Sequence, residues 1–419
     1  MRILIYGINY APELAGIGKY TGEMAAWLAG RGHEISVITA MPYYPEWRVQ
    51  EPYPGKGWQC EEREGVRVYR CPLYVPKEVT SLRRILHEFS FLASSLRWWL
   101  SFLFKKKFDL VISISPPFHL GFLALAYARL RGSQLVTHVQ DLQVDAAKEL
   151  GMIRNERLLA LMFRAERLIL RGSTAVSTIS PGMRRKIVEK GIPADKVLMI
   201  PNWVDTEKIK PIPRAESLRT ELGIGSEKKV VLYAGNTGEK QGLEMVVEVA
   251  AQLAHHRDLL FVFVGSGGGR ERLEALVQER CLTNVRFFPL QPYEKLSALL
   301  AMADLHLVLQ KKAASDLVMP SKLTGILAAG GCAIVTALPG TSLYQIIREH
   351  DMGLLVAPES AEALRHGIEQ ALATDLSAYR SNARTYAENQ LGRTAILAKM
   401  EESLLRLTDR DVRNAHPMG

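Results

Sequence analysis

"YGINYAPELAGIGKYTGEMAAWLAGRGHEISVITA", Tyr6 to Ala40, contains a strand end, a glycine pair, a helix pattern and a second apolar strand. The placement of its glycines decides what kind of α/β unit the chain opens with. A dinucleotide fold sets its glycines directly after the strand, with a carboxylate about 20 residues further on, at the end of the second strand. Here "RILIYG" ends at Gly7, and residues 9–15 intervene before Gly16 and Gly18. Gly22 comes one place too late for the third glycine, and "EISVITA" ends without an acid. The stretch predicts strand, loop, helix and strand, with a loop that is either a structural turn or a site for a ligand other than NAD.

The alternation continues outward from this unit. "VRVYRC", "LVISIS", "QLVTHVQ" and "AVSTIS" are short Val- and Ile-rich runs, with helical periodicity between several of them, as over 158–170. That pattern predicts an α/β fold with a parallel sheet and crossover helices. It breaks at "VLMIPNWVDTEKIKPIPR", and a second set follows: "KVVLYAGN", "LLFVFVGSG", "VRFFPL", "LHLVLQ", "CAIVTA" and "GLLVA". We expect two doubly wound domains, 1–205 and 227–385, with a linker over 206–226. A helix over 386–408 would cross back to the first domain, ahead of a polar tail at 409–419. Such domains bind ligands at the carboxyl ends of their strands, so the expected site is a cleft between the two.

Bulk properties fit this scheme. A chain of 419 residues exceeds one ordinary core, and 47% apolar with 23% charged residues is the balance of a globular enzyme. The net charge of +9 favours anionic partners. Cys60, Cys71, Cys281 and Cys332 are scattered without a C-x-x-C pair, which points to reduced thiols in a cytoplasm. The chain opens on a core strand, so no signal peptide is expected. The basic residues are dispersed and lack aromatic partners in series, which argues against nucleic acid.

One segment departs from the pattern. "SLRRILHEFSFLASSLRWWLSFLFKKKFDL", Ser81 to Leu110, mixes large apolar residues with Arg83, Arg84, Arg97 and Lys105 to Lys107. Its most apolar part is shorter than the roughly 20 residues a spanning helix needs. It is either an amphipathic helix covering a sheet or an interfacial helix on an anionic leaflet. Trp98 and Trp99 beside the basic cluster favour membrane contact, with Arg83, Arg84, Lys105 and Lys106 as its cationic flanks.

Three loops in the second half carry candidate chemistry. In "YAGNTGEKQGLE", Gly235, Gly238 and Gly242 would leave backbone N–H groups open to an anion, and Asn236, Lys240 and Gln241 add donors. "VGSGGGRERLE" repeats the design with Gly265, Gly267, Gly268 and Gly269. In "MPSKLTGILAAGG", Ser321 is placed to cap a helix and Lys322 lies in its first turn. A lysine there opposes the helix dipole unless an anion sits beside it, which points to a phosphate.

Taken together, "YGINYAPELAGIGKYTGEMAAWLA", "RCPLYVPK", "YAGNTGEKQGLE" and "PSKLTGILAAGG" resemble the GT-B glycosyltransferases of retaining family 4. Within that family they are most similar to the bacterial colanic-acid fucosyltransferases. The similarity runs from about Arg2 to Leu405. The resemblance implies two Rossmann-like domains facing a cleft, a nucleotide-sugar donor held mainly by the second and an acceptor held mainly by the first. It also implies retention at the anomeric carbon and no metal or other cofactor. It places Gly16, Gly18 and Lys19 beside the donor diphosphate, which answers what the first glycine loop is for.

Several family landmarks differ here. The usual Arg and Lys of the phosphate loop correspond to Asn236 and Gln241, with Lys240 one place earlier. The family's glutamate pair falls on Leu317 and Gly325, leaving Asp316 as the nearest acid for the sugar. In "HVQDLQVD", Gln140 stands where many relatives carry a catalytic-site His, and Asp141 follows it. Asp141 and Asp145 are the acidic candidates for orienting the acceptor, or else they cap the next helix; His138 shares Gln140's face. Asn202 and Asp205 in "PNWVD" match a hinge motif and are taken as structural. The only D-x-D is Asp409–Asp411 in the polar tail, and His255–His256 lacks metal-ligand spacing.

The expected activity is transfer of fucose from GDP-fucose to a lipid-diphosphate-linked oligosaccharide in exopolysaccharide assembly. The expected location is the inner face of the bacterial cytoplasmic membrane. The alternatives are the same chemistry with another donor, such as an acetamido-sugar nucleotide, or a non-catalytic sugar-nucleotide sensor or scaffold, suggested by the missing glutamates.

Overall fold

The computed structural model describes all residues except 14–15, 150, 154, 238–240, 313–319 and 416–419, and the backbone alone over 409–415. The chain forms two units, Met1–Pro201 with Ile396–Gly419, and Asn202–Ala395.

The first unit runs β1 (Arg2–Tyr6), α1 (Gly16–Gly30), β2 (Glu34–Ala40), β3 (Gln59–Arg63), β4 (Val66–Cys71) and α2 (Ser81–Leu103). It continues through β5 (Leu110–Ser115), α3 (Gly121–Arg131), β6 (Gln134–Val139), α4 (Gln143–Glu149) and α5 (Glu156–Gly172), then β7 (Ala175–Thr178), α6 (Pro181–Glu189) and β8 (Val197–Met199). The sheet order is β3-β4-β2-β1-β5-β6-β7-β8. Every pairing is parallel except β3 with β4. Strand β3, "QCEER", has no apolar alternation and escapes sequence reading. It is an edge strand set by a two-residue turn, Glu64 and Gly65, both at positive φ (51° and 74°). Central β1 is buried on both faces, which explains its unbroken apolar run.

The second unit comprises β9 (Lys229–Ala234), α7 (Glu244–Gln252), β10 (Leu259–Val264), α8 (Arg270–Glu279), β11 (Val285–Phe288), α9 (Leu296–Ala301) and β12 (Leu305–Val308). After these come α10 (Ser321–Ala328), β13 (Ala333–Thr336), α11 (Ser342–Glu349), β14 (Gly353–Val356), α12 (Ala361–Ala373) and α13 (Ser377–Gln390). Its order is β11-β10-β9-β12-β13-β14, all parallel. Alternate residues feed two cores: Val231, Phe261 and Phe263 on one face, Val230, Leu232 and Val262 on the other. Helix α14 (Arg393–Ala415) starts in this unit and joins the first from Ile396. There Glu401 receives Arg31 Nε at 3.1 Å and pairs with His33 Nε2 at 3.0 Å.

Two expected boundaries shift. Asn202 to Asp205 of "PNWVD" belong to the second unit: Trp203 is buried, and Val204 N–H donates to the Leu391 carbonyl at 2.9 Å. The stretch 206–226 is packed structure, not linker. Leu218 and Ile224 enter a core, and buried Arg219 donates to the Met302 carbonyl at 2.8 Å and to Asp304 at 2.9 Å. Its Lys and Pro content reads as a linker because these anchors lie some 80 residues away in sequence.

Candidate functional site

In an open parallel sheet the ligand crevice lies where strand order reverses, outside the carboxyl ends. In the second unit this point falls between β9 and β12. The β9 loop and the start of α10 meet there. Pro320 occupies the N-cap of α10 and supplies no side-chain bond to its first turn. Ser321 is thus the first helical residue, exposed, and not the cap that its position suggested. Lys322 follows, and its side chain runs back over β9. Its Nζ is buried, lies 3.7 Å from the centroid of the Tyr233 ring and has no hydrogen-bond partner among the described residues. A buried ammonium facing only a π-cloud costs several kcal/mol relative to water. Burial alone pulls its pKa down to about 7. Thr237 Oγ1 and Gln241 Oε1 are also buried without described partners.

Two glycines of this site act differently from expectation, and Gly238 lies outside the described residues. Gly235 N–H donates to the Val264 carbonyl at 2.9 Å, and Gly265 N–H to the Phe288 carbonyl at 3.2 Å. These amides extend the sheet ladder and are not open to an anion. What the glycines permit is close approach of two loops. Gly265 and Gly267 sit at φ +144° and +147°; a Cβ on Gly265 would overlap the Gly235 carbonyl, and one on Gly267 would lie 2.5 Å from Asn236 Oδ1. Asn236 is exposed in this knot, its carbonyl held by the Tyr233 hydroxyl at 2.5 Å. Lys240 and Asp316 lie outside the described residues, as does Leu317. Gly325 leaves its position on α10 without a carboxylate.

In the first unit the order reverses between β1 and β5, so the β1 loop borders the equivalent crevice. Gly16 opens α1 at φ +59°. Gly18 is required because Glu13 packs where its Cβ would be, with Oε2 at 2.6 Å. Lys19 lies 3.9 Å from Glu23 and stacks over Tyr20 at 5.3 Å. Glu13 is the residue that sequence reasoning missed. Its carboxyl is 2% exposed and accepts the N–H groups of Tyr43 and Tyr44, each at 3.0 Å, and Asn9 Nδ2 at 3.0 Å. Burial pushes its pKa up to about 7, against 4.5 for an ordinary glutamate. The folded state therefore holds the proton more tightly, and stability falls as pH rises from about 4.5 to about 7. We expect the stability difference between Glu13→Gln and the parent to move in the variant's favour by about 2 kcal/mol over that range. Paired denaturant melts at pH 5 and pH 7.5 check this; a difference that stays constant contradicts it.

At the carboxyl end of β6, Gln140 is buried and its N–H donates to the Ser115 carbonyl at 2.8 Å. Asp141 is partly exposed at the start of the turn into α4, with its carbonyl accepting Gln143 N–H at 3.1 Å. Asp145 is engaged through Oδ2 in an ion pair with Lys190, which bridges it to buried Glu166 and so ties α4 to α5 and to the end of α6, a structural contact. His138 shares a hydrogen bond with Ser177 Oγ at 2.8 Å, and burial lowers its pKa to about 4, so it is a neutral core residue. Asp205 caps the turn at Glu207 and Lys208 and pairs with Arg393 at 3.1 Å, a structural role. Among the described residues no cluster of His, Cys, Asp or Glu could hold a metal ion.

The tryptophans of α2 also turn inward. Trp99 is 5% exposed, set edge-on to Tyr6 at 5.0 Å. Trp98 is half-buried against Tyr69 at 4.9 Å, with its Nε1–H toward the Arg70 carbonyl. Trp99 is thus part of the core under α2 and not available for membrane contact, whereas Trp98 packs on that core with part of its ring left exposed. Arg83 pairs with Glu78 and Arg84 with Glu88, and Lys105 and Lys106 are exposed.

Two units built on largely parallel sheets have the GT-B fold, and the chain belongs to the glycosyltransferases. Residues 15–203 match the family described as glycosyl transferase 4-like domain, and residues 215–390 match glycosyl transferases group 1. Over 411 residues the chain is 46% identical to the putative colanic acid biosynthesis glycosyl transferase WcaI of Escherichia coli K12, covering 95% of this chain and 98% of that protein. Among solved structures it is similar to sucrose-phosphate synthase from Thermosynechococcus elongatus, with TM-score 0.76 and 19% identity over 98% of this chain and 99% of that one. Anabaena Alr3699/HepE in complex with UDP and glucose matches at TM-score 0.71 and 15% identity, over 97% and 100%. These two likenesses concern the fold.

Proposed function

We propose that this glycosyltransferase moves fucose from GDP-fucose, with retention and without a metal, onto a lipid-diphosphate-linked oligosaccharide during assembly of a colanic-acid-like polysaccharide. Its place is the inner face of the cytoplasmic membrane. The likeness to WcaI supports the pathway. The observation that carries the donor chemistry is the Lys322 ammonium, buried without a described partner at the switch point of the second unit. A diphosphate there gives it a charge-assisted bond that none of the described residues supplies and stabilises the leaving group as the C1–oxygen bond breaks. Thr237 and Gln241 add neutral contacts, and Asp141 and Gln140 orient the acceptor hydroxyl.

Thermal shifts with a panel of nucleotide-sugars test this reading. GDP-fucose at about 100 times its Kd should stabilise the protein by about 2.7 kcal/mol. Stabilisation by an acetamido-sugar nucleotide instead moves the proposal to that donor. Binding without transfer to a lipid-diphosphate glycan supports the scaffold alternative, and no shift with any nucleotide-sugar refutes the donor site.

A further inference from the structure

The two units differ sharply in what they leave uncovered. Among the described residues of the second unit, Leu290 is the one large apolar side chain left exposed. The first unit exposes many, concentrated on three neighbouring helices. On α2 and its end, Leu82, Leu86, Phe89, Leu96, Leu100 and Phe104 are 42–90% exposed and recur at helical spacing, a stripe about 34 Å long. Helix α3 packs on α2 and exposes Phe122 and Leu130; α5 packs on α3 and exposes Leu158, Leu161 and Leu168. Soluble surfaces scatter such residues singly, so a stripe of this extent marks a contact surface.

The charge around it selects the occupant. Arg84, Arg97 and Lys105 to Lys107 on or just after α2, and Arg157, Arg164, Arg167 and Arg171 on α5, are exposed beside the apolar rows. Of the acids on these helices, Glu88 and Glu166 are buried, leaving Glu156 outward. A second copy docking through this face by two-fold symmetry would set cation against cation. An anionic bilayer matches both features: leucine and phenylalanine enter the acyl boundary while arginine and lysine stems reach up to the headgroups. Among the described residues no helix is long and apolar enough to cross a membrane.

We propose that the outer face of α2, α3 and α5 lies flat on an anionic membrane as a three-helix raft. This rests on the membrane-surface part of the reading above and is separable from its sugar chemistry. Flotation of the full chain with phosphatidylcholine vesicles, with and without roughly one quarter phosphatidylglycerol, tests it. The parent should float with the anionic vesicles. Leu161→Ser/Leu168→Ser on α5 and Leu96→Ser/Leu100→Ser on α2 should each weaken partitioning about tenfold, whereas Leu290→Ser should not change it. All these side chains are exposed, so unchanged melting confirms that folding is intact. Loss in the α2 pair with none in the α5 pair reduces the raft to a single helix and overturns the proposal. So does a parent that stays with the soluble fraction, or one that forms a dimer which the α5 pair dissolves. A parent that floats but shows no thermal shift with any nucleotide-sugar keeps the raft and refutes the donor reading alone.

Discussion

Lys322→Met is expected to bind a nucleotide-sugar about 100-fold more weakly than the parent, a loss of roughly 3 kcal/mol, and yet to melt at a higher temperature. Both effects come from one burial. Moving a lysine from 10.5 to about 7 corresponds to roughly 4–5 kcal/mol of preference for the neutral form. Relaxation around the site reduces this, and we expect methionine, of similar shape and content against the Tyr233 ring, to recover about 2 kcal/mol or 4–8 °C. The pH dependence follows from the direction of the displacement. Between about pH 7 and 10.5 the unfolded chain holds a proton that the folded chain has lost, so parent stability rises with pH across that window. The advantage of the methionine variant is full below pH 7 and vanishes toward pH 10.5. Calorimetric melts across this range check the sign, and a variant less stable than the parent at pH 6.5 would show that the lysine is satisfied in the free protein. Strain of this kind, held without ligand and relieved with it, is what a binding site costs its fold.

Gly265→Ala should be the most damaging methyl in the second unit. Its φ of +144° is closed to alanine, and the new Cβ would overlap the Gly235 carbonyl. Neither partner can turn aside, because Gly235 N–H and Gly265 N–H are tied to β10 and β11. We expect a loss of about 4 kcal/mol, a melting drop of 8–16 °C, and no donor binding. Gly268→Ala, three residues on, meets nothing within 4 Å and should change stability by no more than about 0.5 kcal/mol. The pair separates a general intolerance of the glycine run from the specific approach of two loops. If both variants melt alike, the loops do not pack as described.

Much of this was legible in the chain. The strands with unbroken Val and Ile runs, the two units and the place of Lys322 in the first turn of a helix all follow from local pattern. Strand β3 was not, since a charged edge strand shows no alternation. The packing of 206–226 was hidden because Arg219 finds its carbonyls across the fold. Trp99 misled because a tryptophan beside lysines looks interfacial, while only the sheet beneath α2 shows that it faces Tyr6. The glycine loops misled in the opposite way: their spacing suggested open amides, and the sheet ladder consumes those of Gly235 and Gly265. Glu13 has no signature beyond Gly18, whose missing Cβ makes room for its carboxyl. Strand alternation points to Tyr233, two places before Gly235 on the same face.

The most direct test is a crystal structure with GDP bound. Diphosphate oxygens should lie about 3 Å from Lys322 Nζ, with the ammonium drawn from the Tyr233 ring toward them. GDP seated elsewhere, with Lys322 still over that ring, would contradict this.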